Sequence, residues 1–130
     1  MEILASRILI RPADYERSLA FYRDGIGLAI WREYGAGTVF FAGQSLIELA
    51  GHGRDDGAGG TFPGAIWLQV RDIYSTQREL SERAVPIARE ARQEPWGLHE
   101  MHVVDPDGVM LIFVQVPPEH PLRRDTRGDS

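Results

Sequence analysis

Apolar and polar residues alternate through Arg7-Ile8-Leu9-Ile10-Arg11, which predicts a strand as the first element. Pro12-Ala13-Asp14 interrupts it, and Asp14 is placed to accept hydrogen bonds from the free amides of a new helix. Tyr15, Leu19 and Tyr22 follow at i, i+4 and i+7, one face of a helix that Gly25-Ile26-Gly27 ends. Strands are predicted over Leu28–Tyr34, Thr38–Ala42 and Ser45–Ala50, with glycine turns between them. The glycine- and aspartate-rich stretch 51–64 reads as a mobile linker. The order then recurs. Ala65–Val70 reads as a strand, Asp72 as a cap, and Ile73, Leu80 and Ala84 as the apolar side of a second helix. Strands are predicted near Pro86–Ala91, His99–Val104 and Val109–Val116, and residues 117–130 read as a frayed, flexible tail.

The repeat is positional, since Asp14 matches Asp72 and Arg7 matches Ala65 at the same offset. The expected fold class is α+β. Two βαβββ modules, 5–50 and 65–116, form one domain over 1–130, a cupped mixed β-sheet with helices on its convex side. Period-two alternation also sorts the strand residues into faces. Ile8, Ile10, Ile47, Leu49, Ile66, Leu68, Leu111 and Phe113 make an aliphatic side suited to pack under helices. The other side mixes Arg7, Leu9, Leu46 and Glu48 with Trp67, Gln69, Met110 and Ile112, the make-up of a pocket for a flat, partly apolar molecule.

Composition removes several chemistries. The 130-residue chain has no cysteine, so disulfides, thiolate metal sites and cysteine nucleophiles are excluded. All fourteen basic residues are arginine, which excludes Schiff-base chemistry and a P-loop lysine. A net charge of −5 argues against nucleic acid as a partner. The N-terminus lacks a signal-peptide pattern and no apolar run has the length of a membrane span, so a cytoplasmic protein with no membrane partner is expected.

Two segments carry a family resemblance. Asp14-Tyr15-Glu16-Arg17-Ser18-Leu19-Ala20-Phe21-Tyr22-Arg23-Asp24-Gly25-Ile26-Gly27-Leu28 resembles the first-helix signature of the glyoxalase, bleomycin-resistance and extradiol-dioxygenase (vicinal oxygen chelate) superfamily. Pro95-Trp96-Gly97, followed by Asp105-Pro106-Asp107-Gly108, resembles the second-module signature of its bleomycin-resistance-like branch. The Asp-Pro-Asp-Gly run is good turn chemistry and reads as structural. Trp96 reads equally as a cavity wall or as packing.

The resemblance implies metal-ligand positions at Arg7, Glu48, Ala65 and Ile112 in metal-dependent members. Only Glu48 is a ligand type, because arginine has no usable lone pair and alanine and isoleucine have no donor atom. The expectation is therefore a metal-free protein with no cofactor and no assigned catalytic residue. It would bind a hydrophobic or aromatic small molecule in a concave cavity, after the manner of antibiotic-sequestering proteins. Arg7, Leu9, Trp31 and Glu48 are the candidate ligand contacts in the first module. Trp67, Gln69, Glu100, His102, Met110 and Ile112 are those in the second. Three alternatives stay open: a metal-independent lyase or isomerase using Glu48 and His102, a metal-dependent glyoxalase or dioxygenase, and an accessory protein without a ligand. Glu48, Glu100 and His102 form a rearranged donor set for the metal-dependent case. The resemblance also implies a homodimer.

Overall fold

The structure is a computed structural model that describes residues 1–51 and 63–121. In chain order the elements are β1 (Ile8–Ile10), α1 (Tyr15–Ala20), β2 (Ile30–Tyr34), β3 (Gly37–Ala42), β4 (Ser45–Ala50), β5 (Ala65–Gln69), α2 (Ile73–Glu82), β6 (Arg89–Gln93), β7 (His99–Val104) and β8 (Met110–Gln115). This is an α+β fold of two βαβββ modules. The chain divides into two compact units, Met1–Pro63 with Asp105–Val109, and Gly64–Val104 with Met110–Ser130. The predicted linker falls outside the described residues over 52–62, as does the tail over 122–130. Residues before that point are ordered into a turn, in which the His120 amide donates to the Pro117 carbonyl.

The first unit holds a four-stranded sheet in the order β1-β4-β3-β2, with β1 parallel to β4 and the other pairs antiparallel. Asp14 caps α1 by accepting from the Arg17 amide at 3.2 Å. The chain continues past α1 as one wide, π-type turn, Phe21–Ile26, and Gly27 stops it in the left-handed conformation (φ 83°) that glycine adopts without strain. Tyr15 and Tyr22 bind this segment to one face of the sheet. The Tyr15 hydroxyl lies 2.6 Å from Thr38 Oγ1, and the Tyr22 ring packs on Phe40. Ile47, Leu49, Phe40 and Tyr22 are fully buried there, which is the aliphatic side that alternation predicts.

The Asp105–Val109 turn belongs to this same unit. Gly108 takes φ 87°, as a turn glycine should. Asp105 Oδ1 accepts from the amides of Asp107 and Val109, both at 2.8 Å, and Oδ2 accepts from the Tyr22 hydroxyl at 2.7 Å. Burial, then this hydrogen bond, pushes the Tyr22 phenol far above its usual range. Asp107 accepts from the Ala13 amide and the Ser18 hydroxyl at the start of α1. The aspartates are structural, as read from the turn chemistry.

The second unit repeats the plan with the order β5-β8-β7-β6, β5 being parallel to β8. Asp72 caps α2 through the Tyr74 and Ser75 amides. The helix lies on the face that carries His99 and Gln115: the Ile73 amide donates to Gln115 Oε1, and the Tyr74 hydroxyl meets His99 Nδ1 at 2.9 Å. Two expectations shift. Ala84 lies beyond α2, at φ 60°, so it forms the turn after the helix and not its apolar side. The strand expected at Pro86–Ala91 runs instead over Arg89–Gln93, because the Ala84 turn delays pairing and the strand is bulged between Arg89 and Arg92.

Candidate functional site: two carboxylates on the open sheet faces

Each sheet packs its helix on one face and leaves the other free of helix. In the first unit the register Leu9↔Glu48↔Val39↔Arg32 runs across that open face. Glu48 is the polar centre of the face. Arg7, just before β1, donates Nη1 to Glu48 Oε1 at 2.9 Å, and the Tyr34 hydroxyl donates to Oε2. Both carboxylate oxygens are engaged. The Tyr34 hydrogen bond holds the Glu48 carboxyl below the usual range, against the opposing effect of burial and with help from Arg7. Tyr34 is correspondingly raised by the Glu48 carboxylate.

Arg7 also lies over the Trp31 ring, 5.5 Å from its centroid, close enough for a cation–π attraction of about 0.5–1 kcal/mol at a half-open site. Trp31 meets Phe41 at 6.4 Å between ring centroids. Leu9, Trp31 and Phe41 are each about half exposed, at 45–46%. The structure brings Arg7, Leu9, Trp31 and Glu48 together and places Tyr34 and Phe41 beside them.

Tyr34 escapes a sequence reading for a specific reason. Simple alternation places residues 31 and 34 on opposite faces, but the β2–β3 register slips between Ile30 and Arg32. That bulge returns Tyr34 to the side of Trp31. Its ring also needs room. Tyr34 pairs with Gly37, where a methyl group would strike the Tyr34 ring and lie 2.6 Å from the Leu49 carbonyl oxygen. Glycine at 37 is what lets the phenol reach Glu48.

In the second unit two rows cross the open face, Trp67↔Ile112↔His102↔Arg89 and Gln69↔Val114↔Glu100↔Arg92, with Met110 beside them between Ala65 and Val104. The predicted Trp67, Gln69, Glu100, His102, Met110 and Ile112 thus share one face. Trp67 is 49% exposed. Arg89, which sequence reasoning did not select, reaches Glu94 through Nη1 at 2.6 Å and the Glu100 main-chain oxygen through Nη2 at 2.8 Å. Burial works against the charge of Glu94, and hydrogen bonds from Arg89 and Arg92 more than offset it, so its carboxyl sits below the usual range. His102 is lowered from its ordinary value by burial and by the Arg89 charge. Trp96, undecided from sequence, donates its indole N–H to Glu100 Oε2 at 2.7 Å and keeps an exposed ring.

The four positions that the resemblance assigns to metal ligands carry Arg7, Glu48, Ala65 and Ile112. Glu48, the one with donor oxygens, is already bonded to Arg7 and Tyr34. Among the described residues no three His, Cys, Asp or Glu side chains are placed to hold an ion. The residues present do not fit the metal centre of metal-dependent members. No helix among the described residues is long and apolar enough to cross a membrane.

Residues 5–113 match the family model described as the Glyoxalase/Bleomycin resistance protein/Dioxygenase superfamily. The chain belongs to this superfamily. Two relatives carry the name lactoylglutathione lyase. A Synechocystis protein, named as a probable one, is 33% identical over 119 residues, which is 82% of this chain and 91% of that protein. A Haemophilus influenzae protein is 31% identical over 127 residues, 88% of this chain and 93% of its own length. Among solved structures, a glyoxalase/bleomycin resistance protein/dioxygenase from Alicyclobacillus acidocaldarius superposes with a TM-score of 0.68 at 16% identity, covering 95% of this chain and 93% of that one. At that identity the glyoxalase-superfamily likeness speaks for the fold.

Proposed function

We propose that this glyoxalase-superfamily protein binds a small, partly apolar organic molecule on its open sheet faces without a metal ion. The observation that carries the reading is the state of Glu48. Its carboxylate is closed by an arginine and a tyrosine where a metal-dependent member would need it free, and half-exposed Leu9, Trp31 and Phe41 surround it. Exposed aromatic and aliphatic side chains around a fixed polar centre are suited to a planar ligand, each stacked ring adding about 0.5–1.5 kcal/mol beyond area burial.

The test is a thermal-shift screen of planar aromatic molecules, on protein whose metal content has been measured. A ligand at a hundred times its Kd stabilises the folded state by about 2.7 kcal/mol, and Trp31→Ala together with Phe41→Ala abolishes the shift. Failure of every aromatic compound to stabilise the protein sinks the reading.

A second reading draws on the two relatives named lactoylglutathione lyase. It makes the protein a lyase acting on a glutathione adduct, with Glu48 and His102 as its acid–base groups. Turnover of lactoylglutathione, lost in Glu48→Gln or His102→Ala, favours that reading. Ligand stabilisation without turnover favours the first.

A further inference from the structure

The open face of the second unit carries a carboxylate that the fold uses only by half. Glu100 is 8% exposed, and one of its oxygens is bonded to the Trp96 indole N–H. The other, Oε1, receives no hydrogen bond or ion pair from the described residues. The nearby cations are spent elsewhere. Arg89 serves Glu94 and the Glu100 main-chain oxygen, and Arg92 directs its Nε to Glu94 at 3.3 Å. The only side-chain atom among the described residues that is both sealed and unpaired is Arg89 Nε. The second Glu100 oxygen is therefore not sealed from solvent, although the residue is 8% exposed.

A nearly buried carboxylate with a single donor gains most from a second donor, and most of all from a charged one. Beside it, Trp96 keeps 58% of its surface exposed, offering a ring that attracts a cation. The indole N–H fixes Oε2 and so leaves Oε1 in a defined place. The adjoining row supplies apolar surface from Trp67 and Ile112. From these placements we infer that Glu100 and Trp96 form a subsite for the protonated amine of a small ligand whose apolar body lies along Trp67 and Ile112. The inference rests on the binding reading above and adds to it the chemical class of the ligand.

The experiment compares 1-naphthylmethylamine with 1-naphthylmethanol, which has the same ring and no charge, by isothermal titration calorimetry at neutral pH. Binding of the alcohol reports the general binding reading; preference for the amine reports this subsite. The amine is expected to bind about tenfold more tightly. Glu100→Gln, which keeps an acceptor for Trp96, removes the preference, whereas Glu82→Gln, exposed at the end of α2, keeps it. In the unaltered protein, the Trp96 indole resonance shifts with the amine and not with the alcohol, a readout that needs no variant to fold. Equal affinities, or a preference that survives Glu100→Gln, overturn the proposal while leaving the binding reading intact. Failure of both probes to bind overturns the subsite, and the binding reading falls only if the wider aromatic screen fails as well.

Discussion

The two units share a strand plan yet treat the carboxylates on their helix-free faces differently. In the first, Glu48 sits on β4, one strand in from the edge strand β1, and both oxygens are closed by side chains of its own unit. In the second, the matching β8 position is Ile112, and the carboxylate has moved one strand further, to Glu100 on β7, where one tryptophan N–H is its side-chain donor. Equivalent scaffolds thus hold a saturated polar centre on one face and an unsaturated one on the other. The difference teaches that the strand plan fixes where side chains can meet, whereas single residues at the bulge and at the turn decide whether a charge is satisfied from within or left for a visitor.

The strongest way to break the contrast is Gly37→Ala. The added methyl meets the Leu49 carbonyl oxygen and the Tyr34 ring, and backbone cannot yield as a flexible side chain does. A loss of about 2–3 kcal/mol is expected in urea unfolding, with Tyr34 displaced from Glu48. Tyr34→Phe removes the hydroxyl alone and should cost about 1 kcal/mol at neutral pH. The pH dependence of that loss sharpens the point. Glu48 has a lowered pKa in the folded state, so its contribution is complete above the ordinary value of 4.5 and fades as the pH falls through the depressed one. The gap between Tyr34→Phe and the unaltered protein should therefore narrow in unfolding measured near pH 3. The smallest effect is expected for Glu100→Gln, under about 0.5 kcal/mol, since the amide oxygen still accepts from Trp96 and no arginine loses its partner. A cost as large as that of Tyr34→Phe would show that Glu100 is satisfied as fully as Glu48 and erase the distinction.

Much of this was legible before any coordinates. The strands with clean alternation, Ser45–Ala50 and His99–Val104, appear with the predicted bounds, and both helix caps lie where Asp14 and Asp72 predict them. Alternation puts Arg7 on the side of Leu9 and Glu48 on the side of Leu46, and the β1–β4 register joins the two. What the pattern could not carry were its irregularities. A one-residue slip in β2 hides Tyr34, and a polar, bulged β6 hides Arg89 and displaces its own start. Trp96 could not be judged because its meaning depends on a hydrogen bond to a side chain four residues on, in a turn whose Gly97 takes φ 98°. Irregular backbone erases the periodicity that face assignments depend on.

The docking of Asp105 and Asp107 against the first helix bears on how the chain is made. Tyr22 and its acceptor are 83 positions apart, so the amino-terminal half leaves the ribosome long before the partner of this buried hydroxyl exists. A fragment ending at residue 63 would carry that phenol inside with nothing to receive its proton. The early half should thus wait, incompletely formed, until the turn at residues 105–109 arrives, and truncation after residue 63 should leave it destabilised.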